Sequence, residues 1–583
     1  MGGLASRNRY IWKLLQIENR ILTALDKDYH QQRWIVSYWL IAGVMGAIRT
    51  WATRHAMNAD GISYLDMGDA YLRGDWNMAL NALWSPFYSW LLGLALFILK
   101  PSPYWEFTVV HLVNFAIYLW ALSCFHFFLL ELIHYDRGLS TQFSKDGYRV
   151  LPEWMWLALG YILFIWSSLE LITLSAVTPD LCVAAGVYLA SGLLLRIRKK
   201  STNWLPFVLL GATLGLSYLT KAFMFPLAFI FLGVSILVDN PRITVPRTLI
   251  ALVVFLLITS PFIIALSKVK GRLTFGDSGK LNYAWHVNEI PGRHWQGDLP
   301  DHTPLVHPTR KIYEAPPVYE FAFPVGGTYP PWYDPSYWYE GVKLDFRVIQ
   351  QAKTLLRNLC VYFRLLFGPV GMLVIGLSVL FYKGSREQGF LRDIITYWPP
   401  LVPALAAQGL FLLVHVERRY IAPFIVITGL ALYAGIRLTP IHKRYIPTII
   451  FAVLITFILS TVPKTVEDAI SLLWSQPHVY WQVAEGLKHM GLQPGDKVAS
   501  TGYSHSTNVK WARLARVQII AEVYSQEGDG FWTVSPIIRK QILAAFAKAG
   551  AKVVVTDTIP DSVDKAGWQQ VGETGYYAYF LAR

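Results

Sequence analysis

The sequence predicts an α-helical polytopic membrane protein, with about eleven transmembrane helices and a small C-terminal α/β domain on the outer face. Three observations carry that prediction. Hydrophobic residues make up 54% of the 583-residue chain and charged residues only 15%, against roughly 45–50% apolar and about 25% charged in soluble domains. The apolar residues come in blocks of the length a spanning helix needs, roughly 17–25 residues. Beyond residue 463 the pattern changes to short strand-like and helical segments. Composition thus excludes a disordered, fibrous or disulfide-framework protein and argues against a soluble enzyme.

Residues 1–33 carry six Lys or Arg and place Ile11, Leu14, Leu15, Ile21, Leu22 and Leu25 at helical spacing. That predicts an amphipathic helix on the cytoplasmic membrane surface, with no signal peptide. Spans are then expected at 34–52, 105–133, 154–173, 180–197, 203–219, 222–238, 248–266, 357–382, 393–414, 419–437 and 446–463. The run 85–99 has only 15 residues and reads as a partly inserted or juxtamembrane helix. Basic residues support that choice through the positive-inside rule. With the N-terminus inside, the cytoplasmic returns at 134–152, 196–202, 239–247, 383–392 and 438–445 carry Arg137, Lys145 and Arg149; Arg196, Arg198, Lys199 and Lys200; Arg242 and Arg247; Lys383, Arg386 and Arg392; and Lys443 and Arg444. Counting 85–99 as a span would move these clusters outside.

Loop 53–104, loop 267–356 and the tail 464–583 are left on the outer side, where a functional site is expected. The tail reads as helix (Tyr480–Gly491), strand (Lys497–Ser500), strand (Val517–Val523), helix (Pro536–Ala549), strand (Lys552–Thr556) and strand (Gly575–Leu581). It has no GxGxxG or P-loop, so nucleotide binding lacks support. The net charge of +14 is chiefly a topology signal, since the tail holds 12 basic and 11 acidic residues; no nucleic-acid partner is expected. Cys124, Cys182 and Cys360 lie in apolar runs without a CxxC pair and read as small hydrophobes.

In a chain so poor in charge, the first outer loop is conspicuous: Asp60, Asp66, Asp69 and Asp75 fall within 16 residues, just beyond a span. Two readings fit. The acids cap and decorate a surface helix beginning near Gly61, or one of them accepts a proton from, or orients, an attacking hydroxyl or amine. Thr178-Pro179-Asp180 likewise suits an ordinary helix start, but topology puts Asp180 on the same face as Asp60. Lys221, after Tyr218-Leu219-Thr220, and the segment His415-Val416-Glu417-Arg418-Arg419-Tyr420 put cations in short outer loops, against the topological bias. Glu417 could pair with one arginine, or Lys221, Arg418 and Arg419 bind an anion at headgroup depth, a lipid phosphate above all. Loop 267–356 gathers Trp285, His286, His294, Trp295, His302, His307, Trp332, Tyr333, Tyr337, Trp338 and Tyr339, suited to stacking on sugar rings or to anchoring at the interface. The histidines lack tight ligand spacing, so a metal site has little support; no cofactor is required by the sequence.

Taken together, the acidic loop after the first span, Ser85-Pro86-Phe87-Tyr88 opening a short helix, Thr178-Pro179-Asp180, Tyr218-Leu219-Thr220-Lys221 and Glu417-Arg418-Arg419-Tyr420 resemble the GT-C membrane glycosyltransferases. The likeness is to bacterial members of the protein mannosyltransferase and lipid A aminoarabinose transferase group, akin to glycosyltransferase family 39. These motifs lie across residues 34–437 and leave the α/β tail outside the shared module. The resemblance implies a sugar donor linked to polyprenyl phosphate and transfer at the outer face of a bacterial inner membrane, to a glycan, lipid or protein acceptor. It implies Asp60 as principal catalytic carboxylate, Asp180 as its assistant, and Lys221, Arg418 and Arg419 as the cations facing the departing lipid phosphate. Asp60-Gly61 stands where many relatives have paired acids, so Asp66 or Asp69 could share the role, and Glu170, near the outer end of the third span, is a further supporting candidate. Tyr64, Tyr88, Tyr420, Trp285, His294 and Trp295 are expected to contact substrate. A lipid or sugar transporter, or flippase, is the alternative, although the chain shows no internal repeat; a non-catalytic assembly protein would make the loop carboxylates dispensable.

Overall fold

The computed structural model describes residues 28–143, 153–295, 307, 309–366, 368, 395–434, 446–474, 477–524 and 530–581. Residues 1–27 of the expected N-terminal amphipathic segment, residues 144–152 of the return at 134–152, the whole of the returns at 383–392 and 438–445, most of the second half of the run 357–382, and His302 lie outside them.

Apolar runs become helices wherever they are described. In chain order these are α1 (Asp28–Ala52), α2 (Ala59–Arg73), α3 (Pro86–Leu99), α4 (Pro103–Phe143), α5 (Glu153–Trp166, continued by a π-helical turn Ser167–Ile172), α6 (Asp180–Lys199), α7 (Leu205–Thr220), α8 (Met224–Leu237) and α9 (Pro241–Lys270). After the outer-loop helix α10 (Ser278–His286) follow α11 (Val348–Leu366), α12 (Trp398–Val414), α13 (Arg418–Ala434) and α14 (Ile446–Ser471). Among the described residues five helices are long and apolar enough to cross a membrane: Gln32–Ala52, Pro103–Gly138, Glu153–Ile172, Asp180–Lys199 and Pro241–Lys270; four shorter apolar helices accompany them. The chain is a multi-pass membrane protein. The most apolar stretch of α6 is 89% buried and that of α9 only 28%, so α6 sits inside the bundle, against α4 and α7, and α9 faces outward.

The run 85–99 folds as α3, whose 14 residues reach about 21 Å, short of the roughly 30 Å of a bilayer core. It packs on α2 at a close backbone approach: a Cβ on Gly68 would lie 2.9 Å from the Ser89 carbonyl oxygen and 3.2 Å from the Gly93 Cα. Any larger residue at either glycine would push apart the two helices that carry the first outer motifs.

The six expected tail elements lie within two residues of their expected limits, as helix α15 (Val479–His489), strand β3 (Lys497–Thr501), strand β4 (Gln518–Val523), helix α17 (Pro536–Lys548) and strands β5 (Val553–Thr556) and β7 (Tyr577–Phe580); helix α16 (Val509–Ala515) and strand β6 (Gln569–Gln570) are further elements the sequence pattern does not announce. The sheet, however, does not stop at the tail. Its order is β1-β2-β4-β3-β5-β7-β6, and β1 (Arg310–Tyr313) and β2 (Val318–Glu320) come from the outer loop. β2 pairs antiparallel with β4, Tyr319 opposite Glu522, whereas β3 lies parallel to both β4 and β5. Recruiting β2 covers the backbone edge that β4 would otherwise expose. One buried apolar cluster also runs from Phe107 in α4 through Tyr329 to Trp511 in α16, joining outer loop and tail to the membrane bundle.

Candidate active site

Helix α2 starts where the chain leaves α1. Asn58 is extended, at φ −125° and ψ 163°, and its side-chain oxygen accepts from the Val177 amide at 2.9 Å. Asp60 stands in the first turn, where a carboxylate complements the helix dipole, and Gly74 in the left-handed region ends the helix. The pin from Asn58 to Val177 fixes the start of α2 beside Thr178-Pro179-Asp180, so two carboxylates 120 residues apart in sequence meet at the mouth of the bundle.

Arg419 gathers them. Its guanidinium lies 3.5 Å from Asp60 Oδ2, 3.6 Å from Asp180 Oδ2 and 3.0 Å from Glu417 Oε1. Lys221 donates to Asp180 Oδ1 at 2.7 Å, and its Nζ lies 3.5 Å from the centre of the Tyr420 ring. The other oxygen of Asp60 accepts from the Trp332 indole at 3.0 Å; Trp332 stacks on Trp285 with centroids 5.8 Å apart. Asp180 is 3% exposed, whereas Asp60 and Arg419 are each 19% exposed, so of the two aspartates Asp60 is the one open to a substrate.

A cavity of about 490 Å³ is lined by Asp60, Tyr64, Asp180, Lys221, Trp285, Trp332, Arg419 and Tyr420. Beyond Lys221 and Tyr420 it meets an apolar groove of about 250 Å³ walled by Phe223, Pro226, Phe275, Leu410 and Phe411. His415 borders both, stacked on His286 at 3.8 Å. Burial, with Arg357, Arg419 and Lys221 nearby, pulls His415 down to about 4, which leaves it neutral at pH 7. A third, wider cavity of about 800 Å³ lies on the other side of Asp60 and Arg419, lined also by Asn58, Arg418, His505 and Lys510. Its wall includes Thr173, a β-branched residue at φ 66° and ψ 145° that closes the π-helical turn; strain of this kind and π-helical turns both concentrate at functional sites.

Other residues singled out in the sequence go elsewhere. Asp66 and Asp69, one to three turns along α2, face Arg513 of α16, at 2.8 and 2.6 Å, and Asp66 also accepts from the Thr328 amide at 2.6 Å. Glu170 pairs with the buried Arg49 at 3.1 Å, and Asp468 of α14 pairs with the same arginine; the first and last bundle helices are tied there. Tyr88 donates to Asn114 at 2.6 Å and meets Tyr64 edge-on, so it supports the lining from behind. His294 pairs with the buried Glu522 of β4, and Trp295 stacks on Tyr339; neither reaches the 490 Å³ cavity. Arg418 is exposed and lines only the wider cavity, separating it from Lys221. Tyr64, Trp285 and Tyr420 do line the 490 Å³ cavity. No three His, Cys, Asp or Glu side chains gather as a metal site requires among the described residues. Trp332 as the partner of Asp60, and His505 at the wider cavity, have no local signature: both are placed by contacts spanning hundreds of residues.

No protein-family model matches the chain, and no curated protein matches it in sequence. Solved structures do match in shape. ArnT from Cupriavidus metallidurans in the apo state is similar over 94% of this chain and 98% of its own, with 12% identity and a TM-score of 0.50; the same protein bound to undecaprenyl phosphate gives the same coverage and identity and a TM-score of 0.51. An oligosaccharyltransferase from Archaeoglobus fulgidus is similar over 91% of this chain and 69% of its own, with 12% identity and a TM-score of 0.49. The likeness to ArnT spans bundle, outer loop and tail alike: the chain shares the fold of that protein.

Proposed function

We propose that the protein transfers a sugar from a polyprenyl-phosphate donor to an acceptor at the outer face of a bacterial inner membrane. The observation that carries this reading is that Asp60 and Arg419 form the wall between two cavities, one of which continues beside Lys221 into an apolar groove. An isoprenoid chain fits the groove, its phosphate falls between Lys221 and Arg419, and the sugar lies against Trp285 and Trp332. The related fold of ArnT holds undecaprenyl phosphate, which supports a donor of this kind.

The reaction is a single displacement. The acceptor's hydroxyl or amine forms a bond to the anomeric carbon, the bond from that carbon to the phosphate oxygen breaks, and its electron pair leaves on the phosphate. Asp60 orients the nucleophile and receives its proton, while Lys221 and Arg419 meet the charge that develops on the leaving group. Asp180 holds Lys221 and Arg419 in place. Eleven crossings, with the N-terminus cytoplasmic and the tail periplasmic, put this site on the side where the donor's sugar is displayed.

The test is transfer by purified protein in lipid, supplied with undecaprenyl-phosphate sugars and a panel of lipopolysaccharide, glycan and peptide acceptors. Wild type should turn over at least one pair, and Asp60→Asn should lose about 10²–10⁴-fold in rate while unfolding at the same temperature. A wild type inert with every donor, or an Asp60→Asn variant of full activity, refutes the reading.

A further inference from the structure

The tail also meets the bundle at a pair of histidines that line none of the three cavities. His55 lies in the turns that follow α1, three residues before Asn58, and His478 stands at the N-cap of α15. Their rings stack with centroids 4.2 Å apart at 29°. Aromatic side chains enclose them: Tyr104 of α4 meets His55 edge-on at 5.8 Å and lies 5.6 Å from His478, and Phe107 lies 5.8 Å from His478. All four ring nitrogens are buried without a hydrogen-bond partner among the described residues, a state that costs free energy and is uncommon in native proteins. The surroundings oppose a proton on either ring. Arg54, next to His55, already donates to the Trp51 carbonyl at 2.8 Å. His111 of α4 is engaged with the Ala56 and Leu174 carbonyls at 2.8 and 3.1 Å, and Lys510 of α16 donates to the Tyr480 hydroxyl at 3.1 Å. No carboxylate is among the charges acting on the pair, and α15 turns the positive end of its dipole towards His478. Burial, with Arg54 and His111 near His55 and with His55 and Arg54 near His478, pulls both rings down to about 4.

We propose that the stacked pair His55 and His478 is a proton-sensitive latch: with both rings neutral it holds α15 on the end of α1, and protonation of either ring releases it. An open latch gives the ring nitrogens water and returns them to the ordinary histidine value of about 6.5. The open state therefore binds more protons than the closed one between pH 6.5 and 4, so closure is fully stable above about 6.5 and weakens as pH falls towards 4. At pH 5 a shift of this size on one ring favours opening roughly 30-fold. Since the Asn58 side chain fixes the start of α2 beside Asp180, release of His55 slackens the segment that leads into Asp60. The latch is independent of which reaction the site performs.

The experiment follows amide hydrogen exchange of the full chain in lipid at pH 7.5 and pH 5, corrected for the intrinsic pH dependence of exchange. In wild type, opening of α15 should increase at least tenfold at the lower pH while β3 and β5 stay protected. In the double variant His55→Phe with His478→Phe, which keeps two aromatic rings and removes the titrating nitrogens, α15 should be as closed at pH 5 as at pH 7.5. The single variant His478→Phe should keep only part of the wild-type response, through His55, and serves as the comparison should the double variant fail to fold. Equal protection of α15 at the two pH values in wild type overturns the latch. So does an undiminished response in either variant, or a loss of protection in β3 and β5 that accompanies the loss in α15. Because no step of the measurement reads sugar transfer, its outcome leaves the glycosyltransferase reading untouched.

Discussion

Helix α2 feeds carboxylates to two arginine centres that are built in opposite ways. At the first, Arg419 faces Asp60, Asp180 and Glu417 at 3.0–3.6 Å, and the guanidinium is 19% exposed at a cavity wall. At the second, Arg513 faces Asp66, Asp69 and Glu106 at 2.6–2.8 Å and is 4% exposed. Charges and chemical types are the same, three carboxylates to one arginine, yet only the first has room and slack for a further anion. In the second, the carboxylates are tightly held: Asp66 is held by Arg513 and by both the amide and hydroxyl of Thr328, and Glu106 takes Arg516 as well. That centre locks tail, outer loop and α2 together, and since Thr328 lies four residues before Trp332, it also sets the strand of chain that reaches Asp60. A loose centre can exchange partners during a reaction only if a tight one keeps its scaffold still.

Breaking the tight centre should give the largest change in stability. Arg513→Met leaves three carboxylates without their buried cation, a loss of about 3–5 kcal/mol, read as a lower unfolding temperature of the protein in detergent. The deficit should depend on pH. Burial already holds the Asp66 carboxyl above its usual range despite Arg513; without that cation it rises further. A group whose pKa is higher folded than unfolded binds more protons in the folded state, so the variant should regain stability as pH falls towards about 3.9, the unfolded value. A deficit independent of pH between 7 and 4 would mean that Arg513 acts by packing alone.

The loose centre should respond in rate and hardly in stability. Arg419→Lys keeps the charge and loses the planar fork; with one donor to the leaving phosphate removed, transfer should fall about 100-fold with unfolding unchanged. Equal losses of stability in Arg419→Lys and Arg513→Met would erase the contrast between the centres. Trp332→Phe removes a single indole donor from Asp60, worth about 1 kcal/mol, and a five- to tenfold fall in transfer is expected at unchanged donor affinity. Smallest of all is Arg347→Ala. Its pair with Asp345 is as short as those of Arg513, at 2.6 Å, but the side chains are 51% and 57% exposed, so thermal unfolding should register less than about 0.5 kcal/mol. A larger effect there would show that distance, and not enclosure, distinguishes the two centres.

How far the site was legible depended on what kind of signal placed each residue. Asp60, Asp180, Lys221 and Arg419 stand at helix ends on one membrane side, and chain topology alone brings such ends to one level. Asp66 and Asp69 share the same short acidic stretch and read as equal candidates for the chemistry, because nothing local tells which of them will meet Arg513, more than 440 residues later. Sequence pattern places β-structure in the tail alone, whereas β1 and β2 join its sheet from the outer loop; two strands of four and three residues are too short to show a period.

Periodicity and apolar length, which report on a residue's immediate neighbours and on the solvent it must face, determine the helical bundle, the short α3 and six of the elements in the tail. Partner choice is different in kind. Whether an aspartate lines a cavity or is sealed against an arginine, and whether His505 comes to lie against Trp332, turns on contacts between segments far apart in the chain, and these arise only when bundle, outer loop and tail pack into one core.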